Sequence, residues 1–170
     1  HADHVTGSGE LRKRTGALSG VSALAEVACV DRNLIHGDML RFGRYALEVR
    51  RTPGHTDACL SFVLEADGQS LAFTGDVLFI RGCGRTDFQQ GNAATLYRSV
   101  HAQIFSLPEE TFIYPGHDYR GHTVSTVAEE KVHNPRLNVG ISEAGFVELM
   151  NELNLTHPER IHEALPANLA

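Results

Sequence analysis

A layered α/β domain is the fold class this sequence predicts, on three observations. Short apolar runs with strand-like alternation fill the stretch from Met39 to Phe73, helical spacing dominates after Asn92, and three apolar runs end in a glycine followed by His or Asp. Strands that end in polar, ligand-bearing loops, with helices outside them, give such a layered arrangement.

Taken in order, Gly9 to Arg14 is charged and helix-compatible, and Ala23 to Val30 is an apolar run of uncertain type. After Gly37-Asp38 the pattern predicts a strand over Met39 to Phe42, a turn at Gly43-Arg44, and a strand over Tyr45 to Arg51 stopped by Pro53-Gly54. Strands over Cys59 to Leu64 and Ser70 to Phe73 follow as antiparallel neighbours around Asp67-Gly68. Asn92 to Phe105 predicts one helix, with Leu96, Val100 and Ile104 on one face and Leu107-Pro108 ending it. A strand over Thr111 to Tyr114 precedes helices from Val124 to about His133, before Pro135, and from Ser142, a plausible N-cap, to about Leu153.

With 170 residues the chain is long enough for one domain with a real core. A formal charge of −6 argues against a nucleic-acid or anionic-membrane surface, both of which demand a basic face. No apolar stretch approaches the ~20 residues of a membrane span. Three widely spaced cysteines, Cys29, Cys59 and Cys83, form no Cys-x-x-Cys pair, which argues against a disulfide framework or a cysteine-rich zinc site.

Four short segments carry the chemistry. His1-Ala2-Asp3-His4, Gly54-His55-Thr56, Thr74-Gly75-Asp76 and Gly116-His117-Asp118 place imidazoles and carboxylates at the ends of apolar runs. These ligand types suit Zn, Fe or Mn. One such segment would be an ordinary surface turn; all four together point to a metal site. His36, His101, His122, His133, His157 and His162 lack this context and read as surface or helix residues. A ligand loop at residue 1 needs scaffold on both sides, so the native chain is expected to continue upstream, with 1–170 as the C-terminal portion of a single domain.

His1-Ala2-Asp3-His4 resembles the second half of the His-x-His-x-Asp-His signature of the metallo-β-lactamase superfamily, and the other three segments resemble its remaining metal motifs. Within that superfamily, Arg81-Gly82-Cys83-Gly84-Arg85-Thr86-Asp87-Phe88-Gln89 resembles the persulfide dioxygenases more than the glyoxalase II thioesterases. Tyr114-Pro115-Gly116-His117-Asp118-Tyr119, Thr123-Val124-Ser125-Thr126, Asn134-Pro135-Arg136-Leu137 and Leu165-Pro166-Ala167-Asn168 are similar to the same family, which commonly has Ala at the position of Gly116. The resemblance implies an αββα sandwich whose N-terminal strands lie outside this chain.

It also implies a site. His1, His55 and Asp76 would bind one Fe(II) per subunit as a two-His, one-carboxylate face, leaving other positions for substrate sulfur and O2. With Tyr119 they form the implied catalytic set. Asp3, His4 and His117 would hydrogen-bond the ligands or their water. Arg85, Tyr119 and Arg136 would bind substrate, the guanidinium groups pairing with glutathione carboxylates. The implied reaction converts glutathione persulfide, O2 and water to sulfite and glutathione. A homodimer is kept open, and the location is cytoplasmic for a bacterial protein or the mitochondrial matrix for a eukaryotic one. The main alternative is a hydroxyacylglutathione hydrolase of glyoxalase II type, with Asp3, His4 and His117 as ligands of a second metal. Two remoter alternatives are a copper site on a genuine N-terminal His1 and a metal-binding scaffold without turnover.

Overall fold

The computed structural model describes residues 5–88, 90–156 and 161–169. Helix α1 (Ser8–Thr15) ends on Gly16 in the left-handed region, whose amide donates to the Arg12 carbonyl. Strands β1 (Gly20–Ser22) and β2 (Arg32–Leu34) form a small parallel sheet. The apolar run from Ala23 resolves into one 3-10 turn, Ala23–Ala25, capped by the Ser22 hydroxyl.

Strands β3 (Met39–Phe42), β4 (Tyr45–Arg51), β5 (Leu60–Ala66), β6 (Gln69–Gly75), β7 (Phe112–Pro115) and β8 (Ser125–Thr126) form one mixed sheet in that order. Neighbours from β3 to β6 are antiparallel, β6 and β7 are parallel, and β7 and β8 are antiparallel. Strands β4, β6 and β7 therefore run the same way. Their C-terminal ends share one edge of the sheet, and those ends lead into His55, Asp76 and His117.

The side-chain alternation separates two faces. Val63, Ala72 and Ile113 lie opposite one another across β5, β6 and β7 and are buried. Over them pack helix α2 (Ala93–Ser99), a π-helical continuation over Val100–Ile104, and helix α4 (Glu143–Asn151), which contribute Leu96, Val100, Ile104, Phe146 and Met150. The opposite face carries the rows Leu47, Leu64, Leu71, Phe112 and Val49, Phe62, Phe73, Tyr114. Val49 is buried, Phe73 and Tyr114 are exposed and stack at 5.7 Å, and the others are half-buried.

Two helices differ from expectation. The helix expected over Asn92 to Phe105 is α-helical only to Ser99; Asn92 caps it, and Phe105 N reaches back five residues to the Val100 carbonyl, at 2.8 Å. The helix expected from Val124 begins at Val127 as α3 (Val127–His133), because Ser125 and Thr126 pair with β7 and the Thr126 hydroxyl caps the first turn. Ser142 caps α4 as expected. Helix α5 (Ile161–Leu169), which contains Pro166, has no counterpart in the sequence-based expectation. The α5 residue Asn168 accepts a hydrogen bond from Thr6 N at 2.9 Å. No helix among the described residues is long and apolar enough to cross a membrane.

Candidate metal centre

The turn after β4 is held against α2. Pro53 O accepts from Ser99 Oγ at 2.7 Å, and Gly54 O accepts from Asn92 N at 2.8 Å. Gly54 has φ +140°, and a Cβ there would lie 2.3 Å from Leu96 Cα, so only glycine permits this approach. His55 is thereby aimed back over the sheet edge. The turn after β6 is bonded to the turn after β7 by Gly116 N donating to Gly75 O at 2.8 Å, which sets Asp76 beside His117.

Asp76 is 7% exposed and lies between two imidazoles. Its Oδ2 is 3.4 Å from His55 Nε2 and its Oδ1 is 3.4 Å from His117 Nε2. His55 Nδ1 donates to the Arg85 carbonyl at 2.7 Å, because a carbonyl oxygen only accepts. In a neutral ring this makes Nε2 an acceptor. Nε2 then turns its lone pair toward the Asp76 carboxylate, an arrangement that a cation between the two would satisfy. A borderline metal ion fits that donor set.

Among the described residues no group of three or more His, Cys, Asp or Glu side chains that could hold a metal ion is found. The structure brings His55, Asp76 and His117 together; His1, Asp3 and His4 lie outside the described residues.

Around this core, Tyr119 is 78% exposed and stacks on the His117 ring at 5.8 Å. The Phe79 ring meets both edge-on, at 5.9 Å from His117 and 6.1 Å from Tyr119. Arg85 makes a two-pronged pair with Asp87, both contacts 2.7 Å, donates to the Thr156 carbonyl at 2.9 Å and lies over the Phe88 ring at 4.3 Å. Arg136 instead reaches behind the Gly82-Cys83-Gly84 turn, to the Cys83 carbonyl at 3.5 Å.

The same turn backs the carboxylate. Gly84 N donates to the Asp76 carbonyl at 2.8 Å, and a Cβ on Gly84 would stand 2.2 Å from that oxygen. A Cβ on Gly116 would stand 2.8 Å from Asp76 Oδ1, so the Gly-to-Ala difference from the family's usual residue bears directly on the carboxylate. Burial pushes the Cys83 thiol up to about 11, which makes it an inert core group beside Met150.

Sequence reasoning missed Phe79 and Asp87. An aromatic three residues after Asp76 and a carboxylate two after Arg85 were the available signals.

The metallo-beta-lactamase superfamily profile matches residues 30–117. The human protein "Persulfide dioxygenase ETHE1, mitochondrial" is 54% identical over 169 residues, which cover 99% of this chain and 65% of that protein. The crystal structure of ETHE1 from Myxococcus xanthus matches with a TM-score of 0.91 at 49% identity, covering 99% of this chain and 72% of that one. A hydroxyacylglutathione hydrolase of Methylobacterium strain 4-46 is 40% identical over 121 residues, which cover 70% of this chain and 46% of that protein. The chain thus spans about 65% of the length of its human relative. Both the mixed-sheet α/β fold and the presence of a metal follow from these likenesses. The chain belongs to the metallo-beta-lactamase superfamily and, within it, to the family of the persulfide dioxygenase ETHE1.

Proposed function

We propose that this chain carries most of a mononuclear iron centre that oxidises glutathione persulfide with O2 and water to sulfite and glutathione. The observation that carries the reading is the buried Asp76 carboxylate facing His55 Nε2, whose tautomer is set by the Arg85 carbonyl. His55 and Asp76 are two ligands of the iron; the third comes from the histidine signature to which His1 belongs. Bound there, Fe(II) would supply the redox-active centre for oxidation of the persulfide by O2. The persulfide itself furnishes the electrons, so no external reductant enters.

The chain's own residues do the rest. Asp3, His4 and His117 orient the ligands and their water. Tyr119 and Phe79 wall the approach with aromatic surface, and Tyr119 can donate a hydrogen bond to the glutathione moiety. Arg85 binds a glutathione carboxylate by exchanging its pairing with Asp87, and Arg136 adds positive charge behind the same turn. The single-domain organisation, a homodimeric assembly and a location in the cytoplasm or mitochondrial matrix belong to the same proposal.

Metal analysis of anaerobically purified, full-length protein, coupled to O2 uptake with glutathione persulfide, tests it. About one iron per subunit and loss of uptake in His55→Ala and Asp76→Ala are expected; uptake retained in either variant removes the assignment. A second reading has its own observation: His117 stands on the other oxygen of Asp76, as a carboxylate shared by two metals would require. Two bound zinc ions and hydrolysis of S-lactoylglutathione without O2 uptake would establish the glyoxalase II-type chemistry instead.

A further inference from the structure

A buried carboxylate on α3 grips the turn that backs the metal centre. Glu130 is 0% exposed, and both its carboxylate oxygens have hydrogen-bond partners. Its Oε2 accepts from Arg81 N and Asn134 Nδ2, both at 2.9 Å; its Oε1 accepts from Ser125 Oγ at 2.7 Å and pairs with the Arg81 guanidinium. Asn134 Nδ2 also donates to the Gly82 carbonyl at 3.1 Å. A charge removed from water is tolerated only when so satisfied. Arg81 has φ +60°, a left-handed conformation disfavoured for a side-chain-bearing residue, and Glu130 holds its amide there.

The other side of the same turn touches every described member of the centre. Phe79 meets the rings of His117 and Tyr119, Gly84 N bonds the Asp76 carbonyl, and the Arg85 carbonyl sets the His55 tautomer. We propose that Glu130 is a positioning residue of the metal centre: with Arg81 and Asn134 it fixes the 79–85 turn and through it the orientation of His55, Asp76 and His117. This rests on the reading of those three side chains as a metal centre.

The test uses full-length protein with Co(II) as the probe metal. Glu130→Gln keeps the volume and one acceptor oxygen but removes the charge that faces Arg81. Its Co(II) affinity, measured by chelator competition, is expected to fall between about 10-fold and 100-fold, with shifted visible Co(II) bands. Phe146→Leu, in the α4 core where the ring packs against Tyr97 at 5.8 Å, serves as the destabilised comparison and is expected to bind Co(II) as the parent does. Should Glu130→Gln not fold, Arg81→Gly takes its place, since glycine accepts that backbone conformation. Parent-like affinity and spectrum in the folded variant, or an equal loss in Phe146→Leu, overturns the proposal. Co(II) binding unchanged in Asp76→Asn instead removes the metal-centre reading beneath it.

Discussion

The two ends of the main sheet use similar turn residues under opposite constraints. At one end, Gly43-Arg44 and Asp67-Gly68 close hairpins in solvent, and a Cβ on Gly43 or Gly68 would meet nothing within 4 Å. At the other, Gly54, Gly84 and Gly116 lie against backbone or against the Asp76 carboxylate, at 2.3, 2.2 and 2.8 Å from a would-be Cβ. The hairpin end needs only a backbone conformation. The metal end needs the absence of a side chain as well, because turns from three strands and α2 meet within one layer of atoms.

That contrast can be broken most severely at Gly54. Gly54→Ala combines a positive φ with collision against the Leu96 backbone, and a loss of at least about 3 kcal/mol is expected in chemical denaturation, together with metal binding. A loss below about 1 kcal/mol would show that α2 yields easily. Gly116→Ala is expected to be milder, since its nearest neighbour is the end of a side chain. The Asp76 carboxylate swings aside, metal affinity drops by no more than about tenfold, and the melting temperature of the metal-free protein stays put. An outcome as severe as that of Gly54→Ala would mean Asp76 is locked rather than cushioned.

The cysteines extend the comparison to pH. Cys83 lies in the buried turn with its thiol raised to about 11 from an ordinary value of 9.0, whereas Cys29 is exposed. Iodoacetamide should label the exposed Cys29 and spare the buried Cys83, as read by peptide mass spectrometry. Burial favours the neutral thiol. The stability it contributes is therefore complete below about 9 and declines as pH rises toward about 11, and Cys83→Ala should flatten that decline. Rapid labelling of Cys83 in folded protein would contradict its placement.

At the hairpin end the effects shrink. Gly68→Asn keeps a residue tolerant of positive φ and should cost no more than about 1 kcal/mol, with metal affinity unchanged. Arg44→Ala removes an exposed pair with Asp67 at 3.0 Å and should cost less than about 1 kcal/mol, with salt masking the difference. Metal loss in either variant would mean the two ends are coupled through β4 and β6.

How much was legible follows the range of the interactions. Alternation marked β3 and β4 to the residue, and the Ser142 cap was readable because capping acts within three residues. The start of α3 was not, since Ser125 and Thr126 are claimed by β7, a distant strand. His55, Asp76 and His117 stood out by their place after glycine. Glu130 did not: it shares a face of α3 with the buried Val127, but a polar residue on that face finds its meaning only in Arg81, 49 positions upstream.

By itself the sequence determined strands β3 to β7, the start of α4, the family and three of the residues at the centre, because periodicity, turn chemistry and motif are properties of neighbours along the chain. Only the tertiary structure decided that β4, β6 and β7 end on one edge and that a buried Glu130 anchors the turn behind Asp76. These depend on strand direction and on the pairing of charges far apart in sequence, and both are set when the sheet and α3 close on each other.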